Sequence, residues 1–347
     1  MTTYTLATEQ DDPLLRELLR ENAMPSWVSM TMEREPSYFA GMNRFGLDWV
    51  VLARQDNRPV GMYACSEQPV HLNGLATELG YLGGLRIPAS QRHRVRLFRE
   101  GCASIRSFSR PRNPELWYTS IASGNRVARR FLEANLRGMP HYWPVNELVT
   151  LALPAARAQS RLLWRAARPE EMQALCALHN TSAARFQFSP VLTPQLCSAT
   201  GADFHVVEQR GALVACMALW DQQSYKQIVA RAYRAPLARL VPFYNLYARW
   251  SRKVELPRPG QALEQTCLAF LAVSPQLEQG ICALIQDALK HCTTPVLTLG
   301  LHDQHPWLDQ LTRTFRPLSY RTRIYAVNFD GPIALDGRAA QPEAAVL

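Results

Sequence analysis

Apolar and polar positions change their spacing several times along the chain, and these changes predict strands and helices in mixed order. A short strand and a helix are expected within residues 4–22, followed by three strands at residues 49–54, 59–68 and 75–87. Asn73-Gly74 between the last two is typical of a tight hairpin turn. Gly80, Gly83 and Gly84 in the third strand indicate a bulge or the close approach of another group to the backbone. From Val95 to Phe108 the apolar residues recur at helical spacing instead. A strand at 116–121, a helix opened by Asn125 and a strand at 145–153 are expected to follow.

The order of predicted elements repeats after residue 160, which indicates an internal duplication. Residues 162–178 copy the strand and helix of residues 4–22, and residues 204–220 copy the first hairpin. We therefore predict two mixed α/β domains, each a mostly antiparallel sheet flanked by helices. The predicted divisions are an N-terminal domain at 1–153, a linker at 154–160, a C-terminal domain at 161–330 and a disordered Ala/Pro/Gly-rich tail at 331–347.

Two stretches depart from this pattern. Residues 25–46 are aromatic-rich with weak helical signals, so packing in the core is expected. Residues 220–265 extend the second hairpin and add an aromatic-rich helix.

Composition agrees with two packed domains and indicates an anionic partner. The chain has 347 residues, of which 47% are hydrophobic and 19% charged, and its formal net charge is +9. This charge fits a phosphorylated cofactor, an acidic carrier protein, a nucleic acid or a membrane surface, and does not choose among them. The eight cysteines show no metal-ligand spacing, and no leader or membrane span is apparent, so a soluble cytoplasmic protein is expected.

One chemical signal is a basic turn between a strand and a helix. It consists of Gln91, Arg92, His93, Arg94, Val95 and Arg96. The unpaired N–H groups of a helix N-terminus and the helix dipole both favour phosphate, and guanidinium groups add forked contacts. The alternative is a solvated basic helix face without a ligand.

This arrangement resembles the cofactor-binding half of the GNAT acyltransferase superfamily. The resemblance rests on the strand–turn–helix–strand–helix order, on Gln91 shortly after Pro88, and on the Asn125-x-x-Ala128 pattern. It implies that acetyl-CoA or another acyl-CoA is a substrate and that no metal is needed. It also implies that main-chain groups near Leu85 and Ile87 polarise the thioester, that the turn from Gln91 to Arg96 holds the pyrophosphate, and that Asn125 and Ala128 flank the pantetheine arm. For residues 25–46 it implies, instead of core packing, that they cover the acceptor.

The sequence departs from the family pattern at two places. Arg94 and Arg96 replace the two glycines of the usual turn, so either the ligand binds with altered geometry or the site is a relic. Leu132 stands where the family has the tyrosine that protonates the leaving thiolate. We predict Tyr118 as the substitute acid, with Tyr142 as an alternative, and Glu78 as the base that deprotonates the acceptor.

The second half keeps less of the motif. The stretch from Gln276 to Cys282 lacks the basic residues and the glycines, and is not expected to hold a pyrophosphate. His302, Asp303 and His305 lack the partner spacing of a metal site, so a loop is preferred. The expected function is acyl transfer to an amine, from acyl-CoA or an acidic carrier protein, without nucleic-acid binding or membrane insertion. The alternative is an inactive GNAT-like module that docks an acidic protein or another anion.

Overall fold

The computed structural model describes residues 2–23, 28–91, 94–109, 114, 116–155, 163–251, 253–331 and 333–347. Its strands are β1 (Thr2–Leu6), β2 (Val28–Glu33), β3 (Leu47–Gln55), β4 (Arg58–Leu72), β5 (Leu75–Arg86), β6 (Trp117–Ala122), β7 (His141–Pro154), β8 (Arg165–Ala166), β9 (Asp203–Gln209), β10 (Ala212–Trp220), β11 (Gln227–Tyr233), β12 (Gln265–Val273), β13 (Val296–His302) and β14 (Leu318–Asn328). Its helices are α1 (Asp12–Glu21), α2 (Val95–Phe108), α3 (Arg126–Glu133), α4 (Met172–Ala183), α5 (Pro194–Thr200), α6 (Ala235–Ser251), α7 (Ile281–His291) and α8 (Pro306–Phe315).

Twelve of these strands form one continuous sheet, in the order β1-β3-β4-β5-β6-β14-β7-β13-β12-β10-β9-β8. Its pairings are antiparallel except for β5 with β6 and β12 with β13. The predicted class, a mostly antiparallel mixed sheet flanked by helices, is therefore confirmed. β2 and β11 form a separate two-stranded sheet that joins residues 28–33 to residues 227–233.

The two halves of the chain exchange strands at the centre of the sheet. β14, at the end of the second half, lies between β6 and β7 of the first half. β7 in turn pairs with β13. The division into domains at residue 153 stays a prediction, and any such domains share one sheet. Each half nevertheless has the same local order, a hairpin followed by a parallel pair, as the duplication predicted.

Apolar side chains cover both faces of the first half of the sheet. On one face, α1 packs Leu15 and Leu18 against Val50, Leu52 and Met62. On the other, α2 and α3 cover a cluster that contains Ile105, Trp117 and Leu132. The second half has equivalent clusters built on α4 and α7. None of the helices in the described ranges is long and apolar enough to cross a lipid bilayer.

A glycine sets how closely β5 and β6 approach. Gly80 pairs with Trp117, and a Cβ on Gly80 would lie 2.1 Å from the Trp117 ring. We expect Gly80→Ala to lower the free energy of unfolding by about 1–3 kcal/mol, because the fully buried indole must shift. Gly124→Ala is the matched control, since nothing lies within 4 Å of its added Cβ. Guanidinium unfolding of both variants tests this, and equal stabilities would contradict it.

The tail predicted to be disordered is instead packed into the protein. Ala340 and Ala345 are buried, and Ala344 lies against Gly300 of β13. The main-chain amide of Gln187 donates to the Ala339 carbonyl, and the main-chain carbonyl of Gln187 accepts from the Gln341 amide. The prediction was wrong because small residues, which look featureless in composition, fit where larger ones would clash.

The segment at 25–46 also differs from expectation. Residues 24–27 lie outside the described part, as do residues 156–162 of the predicted linker and strand. β2 begins at Val28, and Tyr38 is almost completely buried. This agrees with the core-packing reading of the segment, although Tyr38 also lies beside the polar site described below.

Candidate functional site

The most distinctive feature of the first half is a gap between β5 and β6. The two strands pair only at Gly80–Trp117, Tyr81–Tyr118 and Leu82–Thr119. Beyond Leu82, β5 stays with β4, while β6 continues with β14. The β5–β6 gap therefore opens between residues 83–86 and residues 120–122, where main-chain groups of the two strands no longer bond each other.

A bulge in β5 directs the strand away from β6. The pairing register between β4 and β5 shifts at Met62 and Ala64, and Gly84 opposite this shift has φ +59°. Glycine is required here, because a side chain is strained at this φ and its Cβ would approach the Ala64 Cβ to 2.9 Å. The sequence analysis had identified the glycines in this strand as a mark of such a bulge.

A row of polar side chains crosses four strands beside the gap. Register places Asp48 opposite Ser66, Ser66 opposite Tyr81, and Tyr81 opposite Tyr118. Residues opposite each other share a face, so the four side chains lie on the face that carries α1. The Tyr81 hydroxyl is 3.0 Å from Oγ of Ser120 at the mouth of the gap.

Burial sets the protonation of this polar row. It raises the pKa of the Tyr81 and Tyr118 hydroxyls, so both keep their protons at neutral pH. Burial also raises the pKa of the Asp48 carboxyl, although a hydrogen bond from Ser66 and the charges of Arg34 and Lys226 act to lower it. A carboxyl and a phenol of this kind can exchange protons with a bound ligand.

Tyr118, the predicted acid, is more enclosed than Tyr81. Its ring is fully buried and stacks on Phe188 with the centroids 5.0 Å apart. Its hydroxyl donates to Oε1 of Gln68. Tyr118 therefore lies in the paired region beside the gap, whereas Tyr81 reaches Ser120 at the gap itself.

Glu78, the predicted base, lies away from this polar row. It is opposite Pro69, five residues before the gap begins at Gly83, which is roughly 16 Å along a strand. Its parity puts it on the face of Gly80 and Trp117, opposite to that of Tyr81. The structure does not bring Glu78 and Tyr118 together, and their joint role stays a prediction.

Arg86, at the end of β5, places a positive charge at the gap. Its charge interacts with the hydroxyls of Tyr38, Tyr81 and Tyr320, and burial lowers its pKa. One guanidinium nitrogen donates to the carbonyl of Leu85, but Nε is buried and has no hydrogen-bond partner in the described structure. Oγ1 of Thr322 on β14 is also buried without one. Unsatisfied buried groups of this kind favour a polar, anionic ligand.

The predicted pyrophosphate turn is partly closed on itself. Amides of Gln91 and Arg94 donate to the carbonyls of Pro88 and Gln91. The Arg94 guanidinium binds the side chains of Gln55 (2.6 Å) and Gln91 (2.9 Å). Arg96 is exposed and paired with Glu100. Val95 begins α2, whose first N–H groups point into this turn. Arg92 and His93 lie outside the described residues.

The remaining predicted contacts flank the gap. Leu85 is exposed at its edge, whereas Ile87 packs below it with Ala53, Val60 and Leu97. Oδ1 of Asn125 caps α3 by accepting from the amide of Ala128 at 3.2 Å. α3 also carries an open basic groove of about 300 Å³, lined by Arg126, Arg129, Arg130 and Glu133.

The second half has a corresponding gap, and the tail fills it. β12 and β13 pair only from Gln265–Val296 to Cys267–Thr298 before diverging, and Phe270 has φ +54°. Oε2 of Glu343 accepts from the Phe270 amide (2.8 Å), and Oε1 of Gln341 accepts from the His302 amide (2.8 Å). Side chains of the tail thus bind the amides that the diverging strands expose.

Glu343 makes this tail sensitive to pH. Burial raises the pKa of its carboxyl from 4.5 to about 7, partly offset by amide hydrogen bonds and by Lys226. Between pH 4.5 and 7 the folded protein keeps a proton that the unfolded chain has released, so its stability falls as pH rises through this window. Because one pKa unit is worth about 1.4 kcal/mol, the fall is up to about 3 kcal/mol.

We expect Glu343→Gln to remove this dependence while keeping an acceptor for the Phe270 amide. Chemical unfolding at several pH values between 4.5 and 7.5 measures it. The difference between wild type and variant isolates Glu343 from the other carboxyls. A constant difference across the window would contradict the assignment.

Sequence analysis missed Asp48 and Arg86 as parts of this region. Lys226 lies between the halves, where its ammonium donates to the carbonyls of Ala345 (3.1 Å) and Leu347 (2.8 Å). Burial lowers its pKa to about 8. In the described part of the chain, no group of three or more His, Cys, Asp or Glu is arranged to hold a metal.

Comparison with solved structures identifies the fold. No family model and no curated protein matches the sequence. N-myristoyltransferase of Saccharomyces cerevisiae with bound myristoyl-CoA superposes with a TM-score of 0.62 at 11% identity, covering 95% of this chain and 79% of that chain. The same enzyme with myristoyl-CoA and inhibitors gives 0.62 at 13%, covering 98% and 84%.

A solved structure of a second acyltransferase has a similar fold. A GCN5-related N-acetyltransferase from Anabaena variabilis superposes with a TM-score of 0.51 at 10% identity, covering 94% of this chain and 72% of that chain. At identities this low, the superposition shows the fold alone and does not show the chemistry. Over nearly its whole length, this chain has the fold seen in these N-myristoyltransferase and GCN5-related N-acetyltransferase structures.

Proposed function

We propose that the chain transfers an acyl group from acyl-CoA to an amine, with the thioester held in the β5–β6 gap. The observation that carries this is the gap itself, where a bulge at Gly84 separates two parallel strands beside a row of protonatable side chains. Main-chain amides fixed by a sheet can polarise a carbonyl without reorganising. The solved structures of similar fold include an enzyme with bound myristoyl-CoA, which supports acyl-CoA as the donor.

The anionic part of the donor would meet positive charge and free amides. The pantetheine arm would follow β5, and the pyrophosphate would lie at the first turn of α2, where unpaired N–H groups favour phosphate. Arg94 is tied to Gln55 and Gln91, so it would shape this turn more than bind the ligand. The arginines of the α3 groove, Arg126 and Arg130, would be available to further phosphate groups.

Tyr81 is the side chain best placed to protonate the leaving thiolate. The amine nitrogen attacks the thioester carbonyl, the C–S bond breaks, and the thiolate takes the phenolic proton. Ser120, within hydrogen-bond distance of Tyr81, would help to return a proton to it. Asp48, on the same face, would accept the proton that the amine loses. Tyr118 and Glu78 remain alternatives, the first being bound to Gln68 and the second lying on the other face.

The chain would bind one acyl-CoA. The equivalent amides of the second half, at Phe270 and His302, are occupied by Glu343 and Gln341. The second half would therefore contribute to the acceptor side of the site through Lys226 and through β11, the strand that pairs with β2. An acyl carrier protein as donor would use the same gap.

Two measurements test the proposal. Calorimetry with acetyl-CoA to palmitoyl-CoA should give one binding site per chain. Release of free thiol from the best-bound acyl-CoA, over a panel of amino acids, polyamines and peptides, should require both substrates. Tyr81→Phe should lower the rate at least about 10-fold, since general acids contribute 10²–10⁴-fold, without weakening acyl-CoA binding. Absence of binding to every acyl-CoA would overturn the proposal.

A further inference from the structure

α6 carries an apolar face that nothing in the described structure covers. Its exposed side chains are Leu240, Phe243, Leu246, Tyr247 and Trp250. They recur at three- and four-residue spacing and so form one stripe on the helix. Trp250 is 85% exposed and Phe243 is 73% exposed. Isolated exposed hydrophobic residues are ordinary, but a contiguous stripe with two large aromatic residues marks an interaction site.

The opposite face of α6 already holds the helix on the protein. Ala248 is fully buried, and the Tyr244 hydroxyl donates to the Val254 carbonyl at 3.1 Å. Asn245 exchanges two hydrogen bonds with the backbone of Leu256, each 2.9 Å long. Because these contacts fix the inner face, the outer stripe is not needed for attachment. A helix that is apolar on both sides is normally buried on both.

The surroundings of the stripe are strongly basic. From residue 234 to residue 258 the sequence contains six basic residues and one acidic residue, a formal charge of +5. The one acidic residue, Glu255, is neutralised by Arg249 at 2.9 Å. The Lys253 ammonium lies over the Tyr247 ring, 5.0 Å from its centroid. Positive charge therefore borders the apolar stripe instead of interrupting it.

We propose that α6 docks the protein on an anionic lipid bilayer, lying in the plane of the headgroups. Aromatic and leucine side chains on one helix face with Arg and Lys beside them are the combination that interfacial helices use. The helix is about 25 Å long. Its stripe is a convex surface formed by one helix, which fits a deformable lipid surface better than a preformed protein groove. Docking through this surface does not depend on acyl transfer in the β5–β6 gap.

Flotation with vesicles of neutral phosphatidylcholine, with and without 30% phosphatidylglycerol, tests the proposal. Wild type should float with the phosphatidylglycerol vesicles, and Phe243→Glu/Trp250→Glu should lower the bound fraction at least 10-fold. Leu75→Glu is the matched control, because Leu75 is 73% exposed on the β4–β5 turn, away from α6. It should bind as wild type does. Thermal unfolding of all three proteins verifies that these exposed changes leave the fold intact.

Three results would overturn it. The first is no flotation of wild type with phosphatidylglycerol vesicles. The second is equal flotation of the double variant and wild type. The third is a dimer of wild type in size-exclusion chromatography that the double variant abolishes, without vesicle binding, which would assign the stripe to contact between copies of the chain. Binding to neutral vesicles as strong as binding to phosphatidylglycerol vesicles would also contradict the proposal, because the basic border would then have no role.

Discussion

Replacing Ser120 by tryptophan is expected to weaken acyl-CoA binding at least about 100-fold, which corresponds to roughly 2.7 kcal/mol. Ser120 lies where β6 has left β5, and its Oγ meets the Tyr81 hydroxyl across the mouth of the gap. An indole at this position would fill the space assigned to the thioester and would displace Tyr81. Turnover should be lost together with binding.

Ala76→Trp is the matched control for this experiment. Ala76 is exposed on β5 before that strand reaches β6, so the same side chain is added to the neighbouring strand, outside the gap. Calorimetry of both variants with one acyl-CoA gives the comparison, and circular dichroism verifies the fold. If Ser120→Trp bound as tightly as Ala76→Trp, the thioester could not lie between β5 and β6.

Ending the chain after Asp330 is expected to lower the free energy of unfolding by at least about 3 kcal/mol. The truncation removes the acceptors for the Phe270 and His302 amides, and an unsatisfied buried group costs about 1–3 kcal/mol. It also uncovers the surface under Ala340 and Ala345. A chain with a disordered tail would lose nothing on the same truncation.

Arg338→Ala in the full chain provides the control for the truncation. Arg338 is exposed, pairs with Asp336 within the tail and donates to the Ala184 carbonyl at 3.1 Å; ion pairs at such exposed positions contribute about 0–1 kcal/mol. Urea unfolding of the three proteins separates the outcomes. A truncated chain as stable as wild type would contradict the packing of the tail and, with it, the assignment of the second gap as closed.

Local patterns in the sequence predicted most single elements. The helix expected at Val95–Phe108 is observed with those bounds, because its apolar spacing and its arginines agree with one buried face. The hairpins around residues 55–58 and Asn73-Gly74 form where turn residues require them. The glycines of β5 predicted a bulge, and Gly84 supplies it.

Features that depend on distant residues were not predictable. Nothing in the composition of β14 shows that it pairs with β6, more than 190 residues earlier, instead of closing a separate sheet. The polar row follows from register, which brings Asp48 and Tyr118 to one face only when β3 to β6 are aligned. The tail was misjudged because alanine-rich, proline-containing segments are usually disordered, whereas here their small size lets Ala344 pack on Gly300.

The predicted site residues stay a prediction, and the structure adds side-chain partners that the sequence did not show. The sequence located the strand and the turn that border the gap, from Leu85 to Arg96. It assigned the base to Glu78, although the carboxyl on the face of the gap belongs to Asp48. It expected Arg94 to serve the phosphate, yet that guanidinium is bound to two glutamines. Side-chain partners of this kind follow from tertiary packing, which no local motif encodes.

Hydrogen exchange measured with and without a non-hydrolysable acyl-CoA is the most direct test of the account. The account predicts that the ligand slows exchange at amides of residues 83–87 and 120–122, and leaves the amides of Phe270 and His302 unchanged because the tail already protects them. Protection confined to other parts of the chain, or none at all, would contradict it.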